Sequence, residues 1–222
     1  MKCAVLFSGG KDSVYATYLT KKFQHKICCL ITIISENPSS FMFHTPSISQ
    51  VKKQVEIMNY QLIIQNTKGE KEKELIDLKK AINNAKNIYG AEAVVTGAVE
   101  SAYQASRVQS ICNKLCLECF NPLWQKDQVE LLYDLIKNNF EIIITGVFAY
   151  PLNESWLGKK INSEFVKRVI KLNEEYQINP AGEGGEFESF VLNCPLFKHK
   201  LNVINKKISG KNHSWKMDIE VT

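Results

Sequence analysis

Short unbroken apolar runs alternate along this chain with stretches in which apolar residues return every three or four positions. Residues 3–7, 27–34, 61–64, 93–96 and 141–147 are runs of the first kind. Such a run fits a strand buried on both faces, as in a parallel sheet. Residues 14–23, 48–59, 70–89, 101–115 and 128–138 carry the helical period. In the third of these, Leu75, Leu78, Ile82 and Ala85 share a face, and Gly90 is a natural stop. Glu70, Glu72 and Glu74 suit its N-terminal half, as the helix dipole prefers. Asp127 is a cap for the fifth. The alternation predicts an α/β fold with a doubly wound, five-stranded parallel sheet, the fifth strand being residues 141–147.

Beyond Val147 the pattern changes. Residues 152–158 are irregular and 163–176 are helical. A glycine-rich string, 182–188, leads into an apolar run, 189–192. Residues 201–222 read as a hairpin turning at Ser209-Gly210-Lys211-Asn212. The boundary is expected near Ala149, giving a domain over residues 1–149 and a smaller α+β domain over 150–222.

Composition narrows the setting. Of 222 residues, 45% are hydrophobic, ample for a core. The net charge of +5 is modest and the Lys/Arg pairs are scattered, which favours solvated faces and speaks against a nucleic-acid partner. No signal-peptide pattern and no membrane-length apolar run are visible, and the seven cysteines fall mostly in apolar runs. A reduced, cytoplasmic protein without membrane contact is expected.

The chemistry starts at Ser8-Gly9-Gly10-Lys11-Asp12-Ser13, between the first strand and the first helix. Two glycines let the backbone bend and approach a ligand, Lys11 adds positive charge, and a helix N-terminus attracts anions. This is a cradle for phosphate oxygens. Neither G-x-x-x-x-G-K-[ST] nor G-x-G-x-x-G is present. Asp12 either orients a Mg²⁺ ion or caps the helix. A second constellation is Gly182-Glu183-Gly184-Gly185-Glu186-Phe187-Glu188, in which Glu186 and Glu188 share one face of an extended segment. One of these carboxylates is expected to move a proton or to hold Mg²⁺, with Glu186 preferred.

Other residues leave alternatives open. Phe41 and Phe43 either cover an adenine or pack inward, and His44 either contacts nucleotide or is an ordinary surface group. Trp124 and Trp156 either flank an acceptor or pack. Arg107, after Tyr103 and Gln104, meets a phosphate or faces solvent. Cys112, Cys116 and Cys119 have the C-x₃-C-x₂-C spacing of cubane iron–sulfur ligands, but Cys112 belongs to an apolar helix stripe, which favours packing.

The string Ser8 to Ser13 is similar to the pyrophosphate loop of the N-type ATP pyrophosphatases. With Phe43-His44, Thr67-Lys68-Gly69-Glu70-Lys71-Glu72, Pro122-Leu123-Trp124, Ser155-Trp156-Leu157-Gly158 and the 182–188 string in one order, nearly the whole chain resembles the diphthine–ammonia ligase family. The resemblance implies a HUP-like ATP-binding domain and an acceptor domain. It implies adenylation of the diphthine carboxylate on translation elongation factor 2, then amidation by ammonia with release of AMP and pyrophosphate. Free ammonia agrees with the lack of room for a glutaminase. ATP and Mg²⁺ are the implied cofactors. Ser8, Gly9, Gly10, Lys11, Asp12, Ser13, Thr32, His44 and Gly97 are the implied nucleotide contacts, with Lys11, Glu183, Glu186 and Glu188 catalytic and Asp12 the metal ligand. Two departures stand out: Ala98 where relatives carry Asp, for which Glu100 is a substitute, and Asn193 where Asp is usual. Alternatives are amidation or thiolation of another acceptor, a small molecule or tRNA, and a nucleotide-binding module without turnover. A homo-oligomer is left open.

Overall fold

The computed structural model describes residues 1–37, 48–70 and 72–222. It divides into two compact units, Met1–Trp124 and Gln125–Thr222.

The first unit is a five-stranded parallel sheet in the order β3-β2-β1-β4-β5. Its strands are β1 (Lys2–Leu6), β2 (Lys26–Ser35), β3 (Leu62–Thr67), β4 (Ala93–Val95) and β5 (Glu118–Phe120). Its helices are α1 (Lys11–Lys22), α2 (Ile48–Met58), α3 (Glu74–Tyr89) and α4 (Ala102–Lys114). On one sheet face Ala4, Cys29, Ile31, Ile33 and Val94 pack with Leu78, Ala81 and Ile82 of α3 and with Val108, Ile111 and Cys112 of α4. Neighbours in sequence point to the other face, yet Cys3, Val5, Leu30 and Val95 are also buried. Burial on both faces is why these strands read as unbroken apolar runs. Helix α1 is more polar than its burial suggests. Thr17 and Thr20 solve this by donating to the carbonyls of Ser13 and Ala16, each at 2.7 Å.

Several boundaries differ from the sequence pattern for local reasons. Helix α1 starts at Lys11, three residues before the apolar period begins. Helix α3 starts at Glu74 because Glu72 has a φ of 66°, outside the helical region. Gly90 ends α3 in the left-handed conformation, as expected.

The second unit holds α5 (Gln128–Lys137), β6 (Glu141–Val147), α6 (Ser163–Tyr176), β7 (Phe187–Asn193), β8 (Val203–Lys211) and β9 (Ser214–Val221). The strands form an antiparallel sheet in the order β7-β6-β9-β8. Here the expected topology is corrected. The run 141–147 is the central β6 of this sheet, and the fifth parallel strand is β5, at the end of the cysteine-spaced stretch. The boundary consequently falls at Trp124/Gln125 rather than near Ala149. Asp127 caps α5, accepting from the Glu130 amide at 2.8 Å, and Asn162 caps α6 by accepting from Phe165 at 2.9 Å. The β8–β9 turn lies at Asn212–His213, with Asn212 at φ 53°, and Ser209 to Lys211 remain in the ladder. No helix among the described residues is long and apolar enough to cross a membrane.

Candidate functional site

The strand order gives the first unit its crevice. The chain runs outward from β1 to β2 and β3, then returns to place β4 on the other side of β1. The loops leaving the C-terminal ends of β1 and β4 therefore diverge, and open α/β sheets bind ligands at such a point. Ser8 to Gly10 occupy it.

This loop is held from inside. The Ser13 hydroxyl donates to the Gly10 carbonyl at 3.1 Å and accepts from the Ser8 amide at 3.2 Å, with the Ser8 hydroxyl 3.2 Å away. Gly9 has a φ of +80°, and a Cβ there would stand 2.4 Å from Gln54 Oε1. From α2, Gln54 donates to the Gly9 carbonyl at 3.1 Å. Thr32 lies beneath, 1% exposed, its hydroxyl donating to the Phe7 carbonyl at 2.8 Å. It supports the loop from the strand below. Gly97, just past β4, touches the helix head. An added Cβ would lie 2.8 Å from the Asp12 carbonyl carbon and the Ser13 nitrogen, so only glycine lets β4 and α1 approach this closely. Gly10 is the N-cap of α1 and brings no side-chain acceptor. The first turn keeps the positive end of its dipole for an anion.

Lys11 is 4% exposed, and its ammonium bonds both oxygens of Asp12, at 3.0 and 2.7 Å. Asp12 lies inside the first helical turn and not at the cap, so its capping role is replaced by this ion pair. Ala98 is buried and accepts no carboxylate role, while Glu100 is exposed at the loop surface. The Ala98 amide donates to Thr96 Oγ1 at 3.1 Å.

Arg107 lies over the Tyr103 ring at 3.5 Å and bonds Glu72 Oε1 through Nη2 at 2.6 Å, an ion pair at the surface of the unit. Cys112 is buried in the core, Cys119 is half-buried on β5 and Cys116 is exposed. Among the described residues no group of three His, Cys, Asp or Glu could hold a metal ion. His44, Phe41 and Phe43 lie outside the described residues.

The second unit carries the glutamate string. Glu186 is 8% exposed. Its Oε1 accepts from the Asn179 amide at 3.0 Å and from Asn179 Nδ2 at 2.7 Å, and its Oε2 accepts from the Gly184 amide at 2.8 Å. Gln128, at the start of α5, extends the network: it donates to Asn179 Oδ1 at 3.1 Å and accepts from the Ala181 amide at 2.9 Å. Glu186 was expected to face the acceptor, yet its carboxylate is enclosed by three donors and fastens the loop. Such a buried charge is stable only when its lone pairs are met in this way. Glu183 and Glu188 are partly exposed. Glu188 lies over Gly146 of β6, where a Cβ would come within 3.3 Å of its Oε2. Trp156 stands edge-on to Phe165 (5.6 Å), and Phe165 edge-on to Phe187 (5.8 Å), so the Ser155-Trp156 motif packs behind this loop. Asn193 ends β7 opposite Glu141, which Lys200 bonds at 2.5 Å. The Lys200 ammonium holds the Glu141 carboxyl below its ordinary range. Gln54, Gln128 and Asn179 gave no signal in the sequence, because each acts on a residue distant along the chain.

Similarity to known proteins runs the length of the chain. The family profile described as Diphthamide synthase N-terminal domain matches residues 1–119, and Diphthamide synthase C-terminal domain matches residues 127–221. These spans flank the division at Trp124/Gln125. Diphthine--ammonia ligase of Rattus norvegicus is 32% identical over 91% of this chain and 83% of its own length. Its Homo sapiens counterpart is 30% identical over 94% of this chain and 85% of its own. The Schizosaccharomyces pombe protein of that name is 30% identical over 94% of this chain, which spans 37% of that longer protein. The chain belongs to the diphthamide synthase family.

Proposed function

We propose that this protein is an ATP-dependent ligase that amidates the diphthine carboxylate of translation elongation factor 2 with ammonia, in the cytoplasm. The observation that carries this reading is the Ser8–Ser13 loop at the head of α1, at the reversal of strand order, in a chain of this family. The acceptor carboxylate attacks the α-phosphorus of ATP and the bond to the β-phosphate breaks. Negative charge grows on the departing pyrophosphate. The α1 N-terminus and Lys11 oppose that charge, and donors fixed in advance lower the barrier. Lys11 exchanges Asp12 for phosphate in doing so. Asp12 would then be the carboxylate of this loop left to hold a Mg²⁺ ion, which would neutralise phosphate charge.

Ammonia then attacks the acyl carbonyl of the adenylate, and AMP leaves with the electrons of the C–O bond. Ammonium must lose a proton before its nitrogen can attack. Glu183 and Glu188 are the carboxylates assigned to this step, and Glu186 keeps their loop in shape. Incubation with ATP, ammonium and diphthine-bearing elongation factor 2 is expected to give one AMP and one pyrophosphate per amide formed. AMP formation that needs tRNA instead would overturn the acceptor. ATP binding with no AMP under any acceptor would leave a nucleotide-binding module.

A further inference from the structure

Among the described residues, strand β8 is the outermost strand of the antiparallel sheet and is hydrogen-bonded on one side only, to β9. All nine of its residues are exposed. The opposite edge, β7, buries Phe187, Phe190, Val191 and Leu192. The parallel sheet ends in shorter strands, β3 with six residues and β5 with three. A long, bare edge is a row of unpaired backbone groups, and proteins usually shorten, cover or charge it.

Lysines alone account for part of this strand. Lys206, Lys207 and Lys211 discourage pairing of β8 with β8 of a second copy, since like charges would stand opposite one another. They do not account for Ile204, 62% exposed, or for Val203 and Ile208 beside them. The register with β9 sorts the two faces. Lys206 and Ile208 stand opposite Ile219 and Met217, so they continue the buried face of β9 outward. Lys207, Ser209 and Lys211 stand opposite Asp218, Lys216 and Ser214, on the solvent face. The surrounding chain has one sign of charge: from Ser189 to Met217 there is no Asp or Glu, but there are Lys198, Lys200, Lys206, Lys207, Lys211 and Lys216. Asp218 and Glu220 lie on β9, inward of the edge.

We propose that β8 is a docking edge for an extended, acidic segment of another protein, which adds to the sheet as a fifth antiparallel-sheet strand. Main-chain hydrogen bonds supply the pairing. Apolar residues on one face of the segment cover Val203 and Ile208, and carboxylates on the other meet Lys207 and Lys211. This surface is separate from the ligase reading and does not depend on it.

The test is amide hydrogen exchange of the full chain with a capped peptide of alternating Glu and Val. Exchange over residues 203–211 is expected to slow roughly tenfold at saturating peptide, with no change in the first unit. A Lys–Val peptide is expected to leave it unchanged. The double variant Lys207→Gln, Lys211→Gln is expected to lose the Glu–Val effect and keep its melting temperature, since neither change sets a like charge opposite Asp218. Exchange over 203–211 that stays fast with the Glu–Val peptide overturns the proposal. So does equal slowing by the Lys–Val peptide, slowing that follows protein concentration without peptide, or slowing by an oligouridylate but not by the acidic peptide.

Discussion

Two glycine-rich loops, one in each unit, use similar composition to opposite ends. Ser8 to Ser13 is tied together by hydroxyls, by Gln54 and by close packing on Gly97, and the head of α1 has no side-chain cap. Gly182 to Glu188 turns the Gly184 amide onto its own carboxylate, Glu186, which the Asn179 amide also meets. Glycine allows both, because it lets amides converge on a point. What differs is that the second loop encloses a carboxylate of the chain, whereas the helix head at the first carries no side-chain cap.

The contrast can be broken most severely at the first loop. Lys11→Ala is expected to lower AMP formation about 10²–10³-fold while the melting temperature changes little, measured by AMP release and thermal unfolding. In the second loop, Glu183→Gln or Glu188→Gln is expected to cut kcat/KM for ammonium about 10²-fold without loss of stability. Glu186→Gln should do the reverse. It mismatches one of three buried donors and is expected to cost about 1–3 kcal/mol, with ATP affinity unchanged, read by denaturant unfolding and nucleotide titration. Gly97→Ala forces a methyl against the α1 backbone and is expected to cost about 1–3 kcal/mol and to raise the KM for ATP.

The smallest effect lies at Glu141, outside both loops. Lys200 lowers its folded-state pKa below the unfolded value. Its stabilisation is therefore present above the ordinary carboxylate range and fades as pH falls through the lowered value. Both side chains are partly exposed, so screening limits the contribution to under about 1 kcal/mol. Glu141→Gln should flatten the acid limb of stability by that amount in unfolding measurements across pH.

Much of this was legible from the chain. The helical reading of residues 163–176 matches α6 to the residue, and the phosphate loop stood out because its chemistry is local. Residues 118–120 did not read as a strand: three residues are too few to show a pattern, and their cysteine spacing pointed elsewhere. The run 141–147 read correctly as a buried strand, but an apolar run does not say which sheet it joins. Glu186 read as a reactive carboxylate because its partners, Asn179 and Gly184, become partners only through the fold of the loop. Gln54 and Gln128 were illegible for the same reason.

The parallel sheet is finished at Phe120, and the antiparallel one begins only after α5. No strand is lent from one to the other. A chimera spliced within residues 121–127 would cut no ladder, so each sheet would keep every one of its strand pairs.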